Sequence, residues 1–470
     1  MRNFPKLFFK LNFWIIALIA VQITAIIFLC LYLPAFLPIT LAFALMWLLT
    51  AVTSVVLLLR CGSPEVKCAW FLVVAILPVA GALIFFIASV KKKPQGILKV
   101  EGVPQDGFAR VASSACGTLS AGYDRAEYFA EGRDFWNCAL SQIEGAKKSV
   151  YIEFFIICRG HLFNCFISAL EKARVNGAEI KIITDGVGSA FRVGRKDLKR
   201  LKSLGAEIKV FHRLPPFPRA NINLRDHRKI ITVDGRVAFT GGVNLADEYI
   251  NIDSPYGYWK DTGVAVWGEA SKIFEGMFLA MWHGNYAMPA PQTGEKNCLP
   301  YYDSPGHRAF CEDAYLGAIC SAKERVHIFT PYFCVSDKTA SALSLTARRG
   351  VDVTVVIPHI PDKKYAFAVS KAFAQTLKES GVKFFEYTPG FLHAKCLICD
   401  DALFTGSYNF DFRSTHFNYE CGIMFEGDIC EQAELDFQNT LTLCTEMQEG
   451  RLSRLKRLSR FVLRLFAPLI

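Results

Sequence analysis

Two stretches of the sequence each place a histidine and a lysine two residues apart, with an aspartate at a fixed distance behind them. The first set is His227, Lys229 and Asp234, and the second is His393, Lys395 and Asp400. Both sets lie in apolar runs typical of a strand, where residues i and i+2 project from the same face, so each imidazole lies beside an ammonium. Lysine is almost never buried without an acid or water beside it. A pattern of this length that occurs twice indicates a duplicated site.

Each motif runs on into a second apolar segment that ends in small residues and an asparagine. The first copy reads "FTGGVN", with Gly241, Gly242 and Asn244. The second copy reads "FTGSYN", with Gly406, Ser407 and Asn409. Because each half of the chain carries the same set of side chains, we expect neither half to be a complete site.

Two histidines, two lysines and two asparagines suit displacement at a phosphodiester. A neutral imidazole can attack phosphorus and carry the group covalently, while a protonated imidazole opposite it gives a proton to the leaving alcohol. The side chains expected around the non-bridging oxygens are Lys229, Lys395, Asn244, Asn409 and Ser407. Such a site needs no metal or other cofactor, and the sequence has no clustered carboxylates that favour one.

Acidic residues near the motifs fall into two groups. Each histidine needs a partner that fixes its tautomer, and Asp261 and Glu420 stand at similar distances downstream of the two motifs. On spacing alone, a surface or hairpin acid is an equally good interpretation of these two. Asp234 and Asp400 lie in the turn sequences "VDG" and "CDDA", where aspartate is favoured for backbone reasons. We expect this second group to brace the site without touching substrate.

The residues before each motif alternate between strand and helix patterns. In the first half, "SVYIEFFII" and "AEIKIITDGVG" predict strands, with the helix "HLFNCFISALEKARVNG" between them. In the second half, "RVHIFTPYF" and "VDVTVVIPHI" flank the helix "TASALSLTARRG". The alternation predicts an α/β fold with a largely parallel sheet. We place a linker at 94–120, a first half-domain at 121–295 and a second half-domain at 296–448.

The N-terminal region is apolar enough to enter a bilayer. Residues 13–33, 36–59 and 68–90 are each long and uncharged, although Pro78 and Gly81 interrupt the third. We therefore predict a membrane region at 1–93 with two or three hydrophobic helices. Two crossings plus a broken third segment keep every basic cluster, and the catalytic domain, on the cytoplasmic side of the cell membrane.

Charge and cysteine content narrow the partners and the compartment. The net charge of +10 fits an anionic partner, either lipid headgroups or nucleic acid. Near the C-terminus, apolar residues recur at helical spacing with basic residues and no acid between them, so we predict a basic amphipathic helix at 449–470 for the surface of an anionic bilayer. A helix docked on the protein's own core is the alternative. The 16 cysteines have no repeated spacing, which suits reduced thiols, although Cys396 and Cys399 leave a zinc or redox role open.

The paired motifs resemble those of the phospholipase D superfamily, and the surrounding sequence is similar to that of bacterial cardiolipin synthases. The similar stretches are "NLRDHRKIITVDGRVAFTGGVNLADEY", "TPYF", "GFLHAKCLICDDALFTGSYNFDFRSTHFNYE" and "LFAPLI". The resemblance implies two similar α-β-α sandwich half-domains that form a pseudo-two-fold unit behind N-terminal transmembrane helices. It also implies that a phosphatidyl group moves from one phosphatidylglycerol to another, giving cardiolipin and glycerol, with His227 as nucleophile and His393 as acid. The family typically has two hydrophobic segments, matching 36–59 and 68–90, so 13–33 is an addition.

Other functions are compatible with the same motifs. A hydrolytic phospholipase D or another phosphatidyltransferase differs only in the acceptor, and a nuclease differs in what is esterified. The hydrophobic N-terminus argues against a nuclease, so we expect membrane lipid and not nucleic acid as the partner. A catalytically dead, membrane-anchored lipid-binding protein is a remote alternative, because it has no need of both histidines.

Overall fold

The chain forms two compact units. The structure, a computed structural model, describes residues 39–59, 63–88, 95–101, 120–213, 223–305, 310–448 and 462–469, together with the isolated residues Thr24 and Ile27. The first unit contains Met1–Lys92, Pro215–Asn223 and Phe461–Ile470. The second unit contains Lys93–Leu214 and Leu224–Arg460. Both motifs lie in the second unit.

The described part of the first unit is helical. Its elements are α1 (Ile39–Leu59), α2 (Pro64–Ile76), α3 (Pro78–Ala88) and a 3₁₀ turn at Ala467–Leu469. Leu57, Val74 and Phe85 form its small buried cluster. Among the described helices, none has the length and apolarity needed to cross a membrane. The predicted transmembrane helices are therefore not confirmed, and the predicted segment at 13–33 and most of the predicted helix at 449–470 lie outside the described residues.

The second unit is a mixed α/β structure. Its helices are α4 (Gly132–Glu144), α5 (His161–Val175), α6 (Arg195–Ser203), α7 (Glu269–His283), α8 (Phe310–Ser321), α9 (Asp337–Arg348), α10 (Lys364–Lys378), α11 (Phe412–His416) and α12 (Asp428–Leu441), with a 3₁₀ turn at Asp247–Ile250. Its first strands are β1 (Ile97–Glu101), β2 (Ala121–Gly122), β3 (Arg125–Phe129), β4 (Ser149–Phe154), β5 (Glu179–Asp185), β6 (Glu207–Phe211), β7 (Arg225–Asp226), β8 (Lys229–Val233), β9 (Val237–Gly241), β10 (Tyr258–Lys260) and β11 (Gly263–Trp267). The remaining strands are β12 (Asn285–Pro289), β13 (Asn297–Asp303), β14 (Arg325–Phe329), β15 (Asp352–Pro358), β16 (Lys383–Tyr387), β17 (Gly390–Leu392), β18 (Cys396–Cys399), β19 (Ala402–Gly406), β20 (Asn418–Glu426) and β21 (Cys444–Glu446).

Two sheets of this unit repeat the same strand order. The seven-stranded sheet runs β3-β11-β9-β8-β4-β5-β6. The ten-stranded sheet contains the equivalent run β13-β20-β19-β18-β14-β15-β16, extended by β2 and β21 at its ends and by β7 beside β20. The motif strands β8 and β18 therefore occupy equivalent central positions, each next to a strand that precedes its motif in the chain.

The predicted alternation of strands and helices is present in both halves, and the mixed α/β fold is confirmed. The prediction of a largely parallel sheet is wrong. Within the run that the two sheets share, the parallel pairs are those of β4-β5-β6 and β14-β15-β16, where helices connect the strands. The short turn after each motif makes a hairpin of β8 with β9 and of β18 with β19, and these strands pair in the antiparallel direction.

Buried apolar residues join the two sheets as well as covering them. One core cluster packs α4 and α5 against the first sheet and includes Trp136, Phe166 and Phe239. A second cluster takes residues from both halves, among them Phe274 of α7, Ile423 of β20 and Phe437 of α12. Because this second core is shared, burial of apolar surface holds the two motif strands in one body.

Candidate active site

His227 lies between β7 and β8 and is held by residues of the second half. Strand β7 pairs in parallel with the start of β20, and the N–H of His227 donates to the carbonyl of Tyr419 at 3.0 Å. The next residue, Glu420, approaches the imidazole, with Oε1 and Oε2 at 3.0 and 2.9 Å from Nδ1. A carboxylate at Nδ1 fixes the proton on that nitrogen and leaves Nε2 for substrate.

His393 is held in the same way by residues of the first half. Its N–H donates to the carbonyl of Lys260 at 2.7 Å. Its Nδ1 lies 2.7 Å from Oδ2 of Asp261, the residue after Lys260. The ring is also surrounded by aromatic side chains, with centroid distances of 5.4 Å to Tyr249, 5.2 Å to Trp259 and 5.8 Å to Phe391.

The two histidine–carboxylate pairs are thus crossed between the halves. The sequence identified Asp261 and Glu420 as candidates but did not establish which histidine each one contacts. In the structure, the first motif uses the carboxylate of the second half, and the second motif uses the carboxylate of the first half. Each backbone strand that supplies the carboxylate also accepts the N–H of the same histidine. Each imidazole is therefore fixed at two points by the opposite half.

Gly242 and Ser407 occupy equivalent positions beside the two carboxylates. They account for the different contacts that Asp261 and Glu420 make. A Cβ atom at Gly242 would lie 2.0 Å from Oδ1 of Asp261, so only glycine leaves room for that carboxylate. Ser407 instead donates its hydroxyl to Oε2 of Glu420 and accepts the N–H of Cys421 at 3.0 Å. The hydroxyl predicted to bind phosphate thus contacts the carboxylate that orients His227, and a direct contact with phosphate stays a prediction.

Both motif lysines are almost completely buried beside the histidines. The ammonium of Lys229 donates to the carbonyl of His227, and that of Lys395 donates to the carbonyl of His393. Nζ of Lys395 also lies 2.9 Å from Nδ1 of His393. Burial lowers the pKa of Lys229 to about 7 and that of Lys395 to about 8, although neighbouring carboxylates oppose both shifts. The site therefore favours a bound anion, which stabilises the charged lysines.

The histidines and their carboxylates differ in charge state. Burial lowers the pKa of His227 to about 4 against the opposing effect of Glu420. Burial, with Lys395, lowers the pKa of His393 well below its ordinary value. Burial also acts to raise the pKa of Glu420, but His227 and Lys229 outweigh it and hold that pKa below its ordinary value. Burial raises the pKa of Asp261 to about 7, so only Glu420 is fully charged at neutral pH.

The two asparagines occupy equivalent positions but have different contacts. The side chain of Asn244 accepts the N–H of Ile156 at 3.1 Å and donates to the hydroxyl of Tyr249 at 2.7 Å. Oδ1 of Asn409 is buried and has no hydrogen-bond partner among the described residues. Asn244 therefore braces the aromatic residue beside His393, whereas Asn409 keeps unused hydrogen-bonding capacity. Direct contact of either amide with phosphate stays a prediction.

The motif aspartates lie in the turns that connect the two strands of each hairpin. Asp234 and Asp400 both have positive φ, at 56° and 49°. The carboxylate of Asp234 accepts the backbone N–H groups of Lys147, Lys148 and Ser149. The carboxylate of Asp400 accepts those of Lys323, Glu324 and Arg325. Each aspartate thus fastens the start of the neighbouring strand to its motif strand, at the end away from the histidine.

Lys260 is a residue of the site that reasoning from the sequence missed. Its ammonium is buried and donates to the carbonyl of Ala130 at 2.6 Å and to Asp436 of α12 at 2.7 and 2.9 Å. The hydroxyl of Tyr128 donates to the same carboxylate at 2.8 Å. A lysine in the apolar segment "YWKDTGV" could have indicated a buried ion pair. Its partner could not be identified, because Asp436 lies 176 residues away. This ion pair anchors the strand end that carries Asp261 to a helix of the second half.

The Cys-x-x-Cys pair lies on β18, with both thiols buried and free. The sulfur of Cys396 lies 3.3 Å from the hydroxyl oxygen of Thr262 and 3.5 Å from that of Thr405. Burial raises the pKa of both thiols, which makes them poor nucleophiles and ligands. Within the described ranges, no group of three or more His, Cys, Asp or Glu side chains is arranged to hold a metal ion. The thiols are packing residues of the motif strand.

Comparisons with known proteins identify the family of the chain. Residues 139–282 and 315–441, which contain the two motifs, match the family described as cardiolipin synthase, PLD-like domain. The chain is 37% identical over 359 residues to an uncharacterized protein of Streptococcus mutans serotype c, covering 73% of this chain and 78% of that protein. It is 28% identical over 457 residues to a cardiolipin synthase of Clostridium perfringens, covering 87% of this chain and 95% of that protein.

A solved structure supports the fold. The crystal structure of phosphatidylserine synthase from Haemophilus influenzae Rd KW20 aligns with a TM-score of 0.58 at 12% sequence identity, covering 77% of this chain and 100% of that one. At this identity the likeness concerns the fold alone. The family match itself extends over both halves of the second unit. The chain therefore belongs to the cardiolipin synthase family with a phospholipase D-like domain.

Proposed function

We propose that this protein is a cardiolipin synthase that transfers a phosphatidyl group from one phosphatidylglycerol to another. The crossed pairing of His227 with Glu420 and of His393 with Asp261 carries the proposal. It gives two imidazoles whose Nδ1 atoms each contact a carboxylate and whose Nε2 atoms can face one phosphodiester, with the ammonium of Lys395 3.3 Å from Nε2 of His393. The buried lysines beside them suit the non-bridging phosphate oxygens.

In the first step, Nε2 of His227 attacks the phosphorus of phosphatidylglycerol. A phosphorus–nitrogen bond forms, the bond from phosphorus to the glycerol oxygen breaks, and His393 gives its proton to that oxygen. Glycerol leaves, and the phosphatidyl group remains on His227. The bound phosphate anion offsets the repulsion between His393 and the lysines, so that His393 is protonated when the acid is needed.

In the second step, a hydroxyl of the second phosphatidylglycerol attacks the phosphatidyl-histidine. His393, now neutral, takes the hydroxyl proton, a phosphorus–oxygen bond forms, and the bond to His227 breaks. Cardiolipin leaves, and both histidines return to their starting states. The reaction consumes two phosphatidylglycerols and yields one cardiolipin and one glycerol, with no nucleotide or other cofactor in the balance.

The charge states of the carboxylates support this division of roles. A fully charged Glu420 stabilises the positive charge that His227 acquires when it bonds to phosphorus. Asp261, whose pKa is raised to about 7, stabilises a charged His393 less, which suits a group that must release its proton. Lys229 and Lys395 hold the phosphate oxygens, joined by Asn409. Asn244 and Ser407 act on this arrangement through Tyr249 and Glu420.

We place the enzyme at the cell membrane, with phosphatidylglycerol and other anionic lipids as its partners. The uncharged segments at 13–33, 36–59 and 68–90 support a multi-pass membrane region, with the catalytic unit on the cytoplasmic side. Transfer in place of hydrolysis requires that a lipid alcohol reach the intermediate before water does. A site held at the bilayer meets this requirement, whereas a hydrolytic phospholipase D does not need it.

The test is to incubate the purified full chain with phosphatidylglycerol alone and to identify the products by mass. We expect cardiolipin and free glycerol in equal amounts, and we expect the activity to survive a chelator. A matched sample of the His227→Ala variant should give neither product. Phosphatidic acid as the only lipid product would establish hydrolysis and overturn the proposal.

A further inference from the structure

A basic helix and an exposed phenylalanine lie side by side on the first half of the second unit. Helix α6 and the loop before it read "FRVGRKDLKRLKS" from Phe191 to Ser203. The exposed basic residues of the helix are Arg195, Lys196, Lys199, Arg200 and Lys202, and its single acid is Asp197. We call Phe191 together with these five basic residues the α6 surface. Such a run is more often simply a solvated face, so a second observation is needed.

Phe191 supplies that observation, because it is both exposed and conformationally unusual. Its side chain is 48% exposed, and its backbone has a φ of 63°, in the left-handed region that bulky residues avoid. The surrounding loop is tightly held, since the carboxylate of Asp185 accepts the N–H groups of Val187 and Gly188 at 2.7 and 2.9 Å. The hydroxyl of Ser189 accepts the N–H of Ile157 at 2.9 Å. The backbone of Phe191 therefore places the aromatic ring in an exposed position at a cost in strain.

The same loop contacts residues next to His227. Asp185, which begins the loop, accepts the N–H of Asp226 at 3.1 Å, and Asp226 precedes His227 in the chain. The hydroxyl of Ser189 donates to the carbonyl of Phe155 at 3.2 Å, and the ring of Phe155 lies 5.1 Å from that of His227. The loop that leads to the α6 surface is thus hydrogen-bonded to residues beside His227.

We propose that the α6 surface docks on an anionic phospholipid bilayer and holds the catalytic site at the level of the headgroups. The inference rests on the proposed function, because it concerns how the site reaches bilayer phosphatidylglycerol. Charge complementarity identifies the occupant. The five cations outnumber their acidic neighbours, which are Asp197 and Glu171, the latter 3.9 Å from Arg200, and the excess positive charge attracts an anionic leaflet. An aromatic ring beside them enters the boundary between headgroups and acyl chains. A single-stranded nucleic acid can also stack a base on the ring of Phe191, so we choose the bilayer because the proposed substrate is a bilayer lipid.

Two variants of the full chain test the surface. Phe191→Asp removes the apolar contact, and the triple variant Arg195→Gln/Lys196→Gln/Lys199→Gln removes three charges. Each variant has a matched control on the same half of the unit. Val175→Asp on α5 places the same charge at a side chain that is 88% exposed. Lys147→Gln/Lys148→Gln/Lys172→Gln removes three exposed lysines elsewhere.

The measurement is kcat/KM for cardiolipin formation on phosphatidylglycerol vesicles and on short-chain phosphatidylglycerol dispersed in detergent. On vesicles we expect the two α6-surface variants to lose activity by on the order of 10- to 100-fold, with the controls unchanged. On dispersed substrate all the variants should match the unaltered protein, which also shows that they are folded. Raising the salt concentration should lower the vesicle activity of the unaltered protein towards that of the triple variant.

Several results would contradict the proposal that the α6 surface docks on a bilayer. Equal losses on vesicles and dispersed substrate, or vesicle activity equal to that of the controls, would show that it does not dock on lipid. Loss in the triple variant without loss in Phe191→Asp would point to a soluble polyanion as the ligand. If the unaltered protein forms no cardiolipin from either substrate, the proposed function fails, and this outcome is distinct from a failure of the surface alone.

Discussion

Oε2 of Glu420 lies 2.9 Å from Nδ1 of His227, although 193 residues separate them in the chain. The reciprocal pair, His393 and Asp261, is separated by 132 residues. Each half of the second unit therefore supplies the histidine of one pair and the carboxylate of the other. Neither half alone contains a histidine–carboxylate pair, so both halves are needed to build either pair.

Glu420→Gln should remove the charge that stabilises His227 while keeping the size of the side chain. An amide can also donate to Nδ1 and so favour the wrong tautomer. We expect kcat for cardiolipin formation to fall by on the order of 10²- to 10⁴-fold. The loss should be similar for phosphatidylglycerol and for a phosphatidyl ester of p-nitrophenol, because both need the nucleophile. The check is a comparison of initial rates on the two substrates.

Asp261→Asn is the matched variant on the other histidine. It should slow the reaction of phosphatidylglycerol but have a much smaller effect on the release of p-nitrophenol, because that leaving group needs no acid. The reverse pattern in the two variants would exchange the roles of His227 and His393. Equal effects of both variants on both substrates would mean that the pairs are structural and do not divide the chemistry.

The alkaline side of the pH profile should report the two buried lysines. With pKa values of about 7 for Lys229 and about 8 for Lys395, the free enzyme loses positive charge as the pH rises through this range. Phosphate binding needs the charged forms, so kcat/KM should fall above about pH 7 to 8. Bound substrate stabilises the charged lysines, so kcat should fall only at higher pH. A kcat/KM that stays level up to about pH 10, the range of an ordinary lysine, would contradict the assignment.

Gly242→Ala should damage the site through a steric contact with Asp261. The added Cβ would lie 2.0 Å from Oδ1, and overpacking of this kind costs about 1–3 kcal/mol of stability. We expect a lower thermal unfolding midpoint and a loss of acid catalysis like that of Asp261→Asn. Ser407→Ala is the matched change at the equivalent position, where Cβ already exists. It should create no steric contact, but it removes the buried hydroxyl that Glu420 and the N–H of Cys421 share, so we expect a loss of about 1–3 kcal/mol of stability. It should also lower kcat by about tenfold or more, because the charged carboxylate loses a hydrogen bond.

Asp436→Asn tests Lys260 as a positioning residue. It leaves the ammonium buried without its charged partner, which costs about 3–5 kcal/mol in comparable pairs. We expect a lower unfolding midpoint and, in addition, slower reaction of phosphatidylglycerol than of the p-nitrophenyl ester, because Asp261 and His393 lose their support. Asp428→Asn on the same helix removes an exposed pair with Lys296 and should change neither quantity. Equal slowing of both substrates would limit Lys260 to a general role in stability.

The sequence predicted the strands and helices of the catalytic unit well, because these depend on local patterns. The buried run of β4 and the helical spacing of Leu162, Phe166 and Leu170 in α5 are visible in single segments. The direction of the motif strands was predicted wrongly. Alternating strands and helices indicated a parallel sheet, whereas the hairpins after Asp234 and Asp400 make the motif strands antiparallel.

The histidines and lysines of the site could be identified by their repeated spacing, since a duplication is a signal within the sequence. The sequence could not identify which carboxylate contacts which histidine, because this depends on how two distant strands pair. Asp436, the partner of Lys260, could not be predicted for the same reason. The side-chain hydrogen bonds of Asn244 and Ser407 to Tyr249 and Glu420 were not predicted either, and the predicted contacts of both residues with phosphate stay predictions. Similar residues at equivalent positions acquire different partners once the surrounding side chains differ.

The most direct test of the account is to locate the covalent intermediate. The His393→Ala variant is incubated with the p-nitrophenyl phosphatidyl ester, quenched at alkaline pH and digested, and the peptides are analysed by mass spectrometry. Without the acid, the attack on this substrate proceeds but transfer to an acceptor is slow, so the intermediate accumulates. We expect a phosphatidyl group on His227 and none in the His227→Ala/His393→Ala double variant. A phosphatidyl group on any other residue, or its persistence in the double variant, would contradict it.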